Sequence, residues 1–350
     1  MSIIAQFHEN ANEKSHSTHG RETEKVLYRG VFLGRGRVCG CGLPLEVEAG
    51  YNGREERRRL RRCVCVARKE FRMAVRKIVT DSSADTLLLD GVDFASAPLT
   101  IVTDTKEYVD DATLDVAEMV EDLLKYSGKS STACPGVGDW LTAFGDAEEV
   151  FCVTITSNLS GSYNAATIAA REYEEAHPDR RVFVLDSLST GPEMRLLLEC
   201  LRADVAAEMD FQAICDDVCA YSAKTGLIFV LESMKNLANN GRVSRLAATA
   251  AGLLGIRAVG KASDHGTLEM LDKCRGAKKA QAAILEHMAA QGYRGGRVRV
   301  SHVGNEEAAL ILKGALLAQY GDADVQVYGA GGLCSFYAEK GGLLVGFEKG

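Results

Sequence analysis

The chain has 350 residues, 46% of them hydrophobic, 25% charged and 7% aromatic, an ordinary globular composition that excludes disordered and fibrous classes. Its formal charge of −7 gives a nucleic-acid partner no support, and no run of eighteen apolar residues is present to span a bilayer as a helix. Eleven cysteines without a signal peptide read as reduced thiols, so a cytoplasmic protein of two domains is expected.

The average hides a seam at Met73. Residues 1–72 carry fifteen Lys and Arg against nine Glu and no Asp, show no sustained helical or strand period, and include the basic run Arg54–Arg72. Residues 1–76 are therefore expected to be a poorly structured leader. Cys39-Gly-Cys41 with Cys63-Val-Cys65 could form a four-thiolate zinc site, and the arginine run could bind RNA or an anionic membrane. The favoured reading is that translation starts at Met73, because Lys69-Glu70 can be encoded by a purine-rich ribosome-binding sequence at suitable distance.

Beyond Met73, strands and helices alternate. Lys77–Asp81, Pro98–Thr103, Val150–Thr156, Arg181–Asp186 and Gly226–Val230 are short runs rich in Val, Ile, Leu and Phe, as buried parallel strands are. Asp115–Tyr126 sets Val116, Met119, Val120, Leu123 and Leu124 on one helical face. Tyr163–His177, Glu193–Ala206 and Phe211–Ala223 follow as helices. The alternation predicts an α/β domain with a mainly parallel sheet over residues 77–232. A second α/β domain over 233–350 has strands at Leu268–Leu271, Arg297–Val303 and Asp324–Tyr328, with helices at Ala277–Gln291 and Glu306–Tyr320.

The segment Thr154–Tyr163 carries the most chemistry. A strand ends in hydroxyls and glycine and a helix begins at once, so free backbone N–H groups and the helix dipole face an anion, with Ser157, Ser160 and Ser162 as added donors. Simple capping of the helix by Ser160 or Ser162 is the competing reading, and both stay open. Asp81–Asp85 repeats the pattern after the first strand, where open α/β sheets bind ligands, or is an ordinary turn. Asn239–Ser244 and Lys273–Gly276 present Arg242 and Arg275, either as forks for a carboxylate or phosphate or as structural charges. GxSxG, GxxxxGK[ST] and helix-opening GxGxxG motifs are absent. No metal is expected: of the cysteines beyond Met73 only Cys215 and Cys219 are closely spaced, and helix packing accounts for them. His302, at a strand end, reads as a surface or internally bonded residue.

From Lys77 to about Phe347 the sequence resembles the DegV family of fatty-acid-binding proteins. The matching pieces, in order, are Val79–Asp85, Pro98–Thr100, Thr132–Pro135, Thr156–Tyr163, Val184–Ser187, Leu237–Ser244 around Gly241-Arg242, and Lys273–Gly276. The resemblance implies two α/β domains holding one long-chain fatty acid, such as palmitate or oleate, between them. It implies a non-enzymatic carrier without cofactor, which presents the acyl carboxylate to a separate ATP-dependent fatty acid kinase that makes acyl phosphate, and which makes transient membrane contact. Carboxylate contacts fall on Thr132, Ser157, Ser160 and Gly161, and Arg242 and Arg275 match positions at the mouth or kinase-docking face. Tyr337 stands where the family carries its C-terminal histidine, and offers a hydroxyl without positive charge. Two other readings are a binder of a different carboxylated or phosphorylated molecule on the same fold, and an acyl hydrolase using Ser160, which would need a base within reach.

Overall fold

The computed structural model describes residues 74–244 and 255–350. The paired cysteines, the Arg54–Arg72 run and the start at Met73 lie outside the described residues, as does Ala247–Leu254, whose glycine and alanines could leave room for an acyl tail or pack closely in the core. None of the described helices is long and apolar enough to cross a membrane.

The first sheet is four-stranded and wholly parallel. Its strands are β1 (Arg76–Asp81), β2 (Phe94–Ala97), β6 (Glu149–Thr154) and β7 (Arg181–Asp186), in the order β2-β1-β6-β7. All six residues of β6 are buried, and they alternate between two cores as a strand must. Phe151 and Val153 pack with Met194, Leu197, Leu198 and Leu201 of α4 (Pro192–Ala206) and with Ile214 and Val218 of α5 (Phe211–Ser222). Val150 and Cys152 face Trp140 and Phe144 of α2 (Val137–Phe144) and Ala166, Ala169 and Tyr173 of α3 (Ser162–Ala176). Covered on both faces, these strands read as continuous apolar runs.

A small antiparallel sheet follows, with β3 (Thr100–Thr103) between β4 (Glu107–Val109) and β5 (Ser130–Ala133). The run at Pro98–Thr103 was expected as a parallel strand, and this is corrected. Only Leu99 and Ile101 are buried within it, and that alternation is what a one-sided antiparallel strand requires. The helix α1 (Val116–Lys125) is capped by Asp115, whose carboxylate accepts the Glu118 N–H at 2.9 Å. Met119 is fully buried against Ile101, Tyr108 and Phe336, whereas Leu124, expected on the same face, is 54% exposed.

The second sheet is six-stranded and mixed. It comprises β8 (Thr225–Leu231), β9 (Ile256–Ala262), β10 (Leu268–Arg275), β11 (Arg297–His302), β12 (Asp324–Gly329) and β13 (Leu343–Glu348), in the order β10-β9-β8-β13-β11-β12. Every pairing is antiparallel except β11 with β12. Thr225–Leu231, grouped by sequence with the first domain, hydrogen-bonds into this second sheet through β9 and β13. A central strand buried on both faces reads alike in either sheet, so its composition does not reveal its partners.

One face of the second sheet packs Ile228, Val230, Val300 and Val345 against α7 (Ala277–Ala290) and α8 (Glu306–Gln319). The other face carries Leu227, Phe229, Leu231 and Leu344 toward α6 (Lys235–Asn239) and α9 (Gly332–Ala338). Helix α4 starts against this sheet. A Cβ at Gly346 of β13 would lie 2.5 Å from the Glu193 nitrogen, so only glycine admits the helix there.

Candidate functional site

A cavity whose empty space, open mouth included, is about 680 Å³ lies over the α9 face of the second sheet. Its floor is Leu227, Phe229, Leu231 and Leu344, and Leu268 borders it. Leu99, Ile155 and Leu333 close it from the side of the parallel sheet, and its polar residues are Thr132, Ser160, Thr190 and Arg242 with Tyr337 and Cys334.

The hydroxyls gather by a definite route. Thr132 lies on β5, next to its last residue Ala133, and its Oγ1 meets the Tyr337 hydroxyl of α9 at 2.8 Å. Burial raises the Tyr337 phenol above its ordinary pKa, so it stays a neutral donor. The Arg242 guanidinium lies 5.8 Å from the Tyr337 ring centroid and is held by two carbonyls, Nε donating to Leu159 O at 3.2 Å and Nη1 to Asn240 O at 2.5 Å. Ser160 Oγ accepts the Ser162 N–H at 3.3 Å, which leaves the hydroxyl its own proton to give.

Four of the residues expected from sequence thus line one cavity: Thr132, Ser160, Arg242 and Tyr337. Three do not. Ser157 is exposed, and its N–H is spent on the Asp186 carboxylate at 3.1 and 3.3 Å. Gly161 is the exposed residue preceding α3 and sits against Cys134 Sγ. Arg275 is exposed at the end of β10, outside the cavity lining. Ser162, read as another donor to an anion, gives its proton instead to buried Asp81 at 2.6 Å.

With this geometry in view, the comparisons decide the family. The model described as "Uncharacterised protein, DegV family" matches residues 76–349. The chain belongs to the DegV family. A DegV domain-containing protein of Streptococcus pneumoniae is 43% identical over 276 residues, covering 78% of this chain and 98% of that one. Among solved structures, the chain is similar to a DegV family protein from Eubacterium eligens loaded with heptadecanoic acid (46% identity, TM-score 0.77, 79% of this chain and 100% of that one). It is also similar to the Streptococcus pneumoniae Fatty Acid Kinase (Fak) B3 protein loaded with linoleic acid (42% identity, TM-score 0.78, 79% and 100%).

In this DegV chain the wall bearing Tyr337 is set by two carboxylates that sequence reasoning did not single out individually. Asp110, almost wholly buried, accepts the Gly332 N–H at 2.7 Å and the Leu333 N–H at 2.9 Å, and Asp85 accepts the Gly331 N–H at 2.8 Å. Together they take up donors that the start of α9 would otherwise leave unpaired. Burial pushes the Asp85 carboxyl up to about 7, and burial likewise raises Asp110. Asp81 organises the opposite wall: besides Ser162 it accepts from Ile155 N at 3.0 Å and from Ser83 N and Oγ. Of the two readings of Asp81–Asp85, a ligand site or a capped turn, the structure shows the turn, with Asp81 accepting from Ser83 N. Cys334, unremarked in the sequence, lines the cavity, and its thiol donates to Ser83 O at 3.4 Å.

Among the described residues one set of metal-ligand types comes together, Cys200, Asp204 and Asp217. None of the three lines the cavity. The Cys200 thiol, raised by burial and by both carboxylates, donates to Asp204 at 3.8 Å and Asp217 at 3.4 Å, which is a hydrogen-bonded cluster.

Proposed function

We propose that the protein carries one long-chain fatty acid, its carboxylate held by Thr132, Ser160 and Tyr337 beside Arg242, and presents it to a separate ATP-dependent fatty acid kinase for conversion to acyl phosphate. One observation carries this reading: an apolar cavity lined by the hydroxyls of Thr132, Ser160 and Tyr337, with Thr132 and the Arg242 guanidinium beside Tyr337. An acyl tail on such a floor contributes roughly 0.8 kcal/mol per buried methylene, so a sixteen-carbon chain offers on the order of 10 kcal/mol before association costs of several kcal/mol. Among the described residues the lining offers neutral hydroxyls and the Arg242 guanidinium, which suit a monoanionic head group. The relatives loaded with heptadecanoic and linoleic acids support the ligand class, and the Fak B3 relative supports the kinase partnership.

Arg275, exposed and outside the cavity, is assigned to the kinase-docking face. The working place is the cytoplasm, where the carrier collects its cargo by transient membrane contact. A different carboxylated ligand is favoured by one feature, the tyrosine at 337 in place of a cationic side chain. Hydrolysis at Ser160 is disfavoured, because among the described residues no histidine lines the cavity. The test is native mass spectrometry of the purified full chain, followed by lipid extraction. A co-purifying fatty acid mass is expected, with affinity weakened in Ser160→Ala and Thr132→Val. A ligand-free mass that palmitate and oleate leave unshifted overturns the proposal. Unchanged affinity in both variants overturns the placement of the carboxylate.

A further inference from the structure

The floor of the cavity contains one aromatic side chain, and its placement is unusual. Along β8 the residues facing the cavity are Leu227, Phe229 and Leu231, every second position of the strand. Phe229 pairs with Leu344 of β13 on one side and Gly260 of β9 on the other. A Cβ built on Gly260 would lie 2.3 Å from Phe229 Cζ and 2.5 Å from Cε2. The ring tip therefore leans over β9 and rests where a side chain would stand. Gly260 does not have a left-handed backbone, so glycine is needed there for space and not for conformation. On the same face β9 offers Ala258, opposite Leu231, and Ala262, opposite Leu268 of β10. Neither alanine nor Gly260 lines the cavity, so the ring covers Gly260 and is the largest side chain of the floor formed by Leu227, Phe229, Leu231 and Leu344.

We infer that Phe229, reclining on Gly260, is the specificity-determining residue that gauges which acyl chains the cavity accepts; this rests on the fatty-acid reading above. A chain running across the floor must cross the ring. Lying flat, the ring leaves room for an extended or gently bent tail; standing up, it would divide the cavity. The side chain at 229 therefore sets the usable cross-section at mid-floor, independently of the hydroxyls that hold the carboxylate. Because dispersion contacts decay steeply with a gap and overlap is strongly resisted, a change of a few atoms here should re-rank ligands and not merely weaken them all.

The experiment is a competition among myristate, palmitate, stearate, oleate and linoleate for the full chain, read by native mass spectrometry, in wild type, Phe229→Leu and Phe229→Trp. Phe229→Leu is expected to move preference toward longer or more bent acids, by about fourfold for each methylene newly accommodated. Phe229→Trp is expected to move preference toward shorter, straighter ones. The two opposite shifts keep the test decisive without the riskier Gly260→Ala, whose added methyl would also lie 2.6 Å from the Glu269 carbonyl. A wild type that binds fatty acids, with the same ranking in both variants, overturns the role of Phe229. A wild type that binds none of the five overturns the carrier reading and this inference with it, and that result is told apart because it appears without any substitution.

Discussion

The parallel sheet and the mixed sheet border the same cavity but offer it different parts of themselves. The parallel sheet meets it end-on: beyond β1 and β6 the chain turns into the Asp81–Asp85 and Thr156–Ser162 loops, where backbone N–H groups and hydroxyls are plentiful. The mixed sheet meets it face-on, and strand alternation delivers Leu227, Phe229 and Leu231 with no polar group among them. Of the proposed head-group residues only Ser160 comes from such a strand end, with Thr132 on β5 and Tyr337 on α9, whereas the strand face provides room for a tail. The two can be altered separately only if the elements joining the sheets hold them in register.

One such tie is Arg299, and its removal is the largest of the effects expected here. Arg299 belongs to β11 of the mixed sheet and is 2% exposed. Its Nε and Nη2 reach the Glu199 carboxylate at 2.8 and 2.7 Å, and Nη2 also reaches Asp324 at 2.8 Å. Glu199 lies on α4, whose leucines fill the core under the parallel sheet. Arg299→Met should cost about 3 kcal/mol in urea unfolding, because it leaves the buried Glu199 carboxylate with only the longer contact to Arg195 Nε at 3.4 Å, and adding Glu199→Gln should restore a large part of the loss. A loss below about 1 kcal/mol would mean that the sheets are joined chiefly by apolar packing.

Asp85 sharpens the comparison through pH. It follows the parallel sheet's first strand, yet its carboxylate holds the start of α9 above the mixed sheet. Its folded pKa, near 7 against an ordinary 3.8, is raised chiefly by burial, with Asp110 adding like charge. The native state then binds the proton more tightly than the unfolded chain, so stability falls as pH rises from about 4 to about 7 and is flat above. Asp85→Asn keeps an oxygen for the Gly331 N–H and tolerates the left-handed backbone at φ 52°. The variant should match wild type near pH 4 and exceed it at pH 8 by at most roughly 4 kcal/mol. Asp81, Asp110 and Glu193 shift in the same direction but are common to both proteins. A stability difference that does not change between pH 4 and 8 would refute the assignment.

The two sheets also differed in legibility. β6 and most of β1 were readable because strands buried on both faces give unbroken apolar runs, and the edge strand β7 was readable from its Val, Phe and Leu alone, whereas the short β2 was not. In the mixed sheet β9 and β13 were not, and the reason lies in Gly260 and Gly346. Each weakens the strand signal, and each is there because something else comes too close for a Cβ: the Phe229 ring in one case, the backbone of α4 in the other. At the site, Thr132, Ser160, Arg242 and Tyr337 were reachable through the family resemblance. Ser157 and Gly161 matched the same motif, but no local pattern shows that Asp186, thirty residues on, takes the Ser157 N–H. Asp110 was invisible for a stronger form of the same reason, since its partners on α9 lie 222 and 223 residues away.

The finest test falls on Tyr337, where the end-on and face-on contributions meet. Its ring packs against Phe336 at 4.8 Å between centroids and touches three of the hydrophobic cores, while its hydroxyl reaches Thr132. Tyr337→Phe keeps the ring and removes only the oxygen, so packing and cavity shape persist. The loss is one neutral hydrogen bond, about 0.5–1.5 kcal/mol, which corresponds to an acyl affinity weakened roughly three- to tenfold. Ser157→Ala, by contrast, should leave affinity unchanged, because that residue's N–H is committed to Asp186 and its side chain is outside the cavity lining. The pair is best measured by titrating one fatty acid into both variants at a fixed pH near 7. If Ser157→Ala weakens binding and Tyr337→Phe does not, the carboxylate sits out on the exposed loop, and the hydroxyl cluster around Tyr337 serves only to join the two sheets.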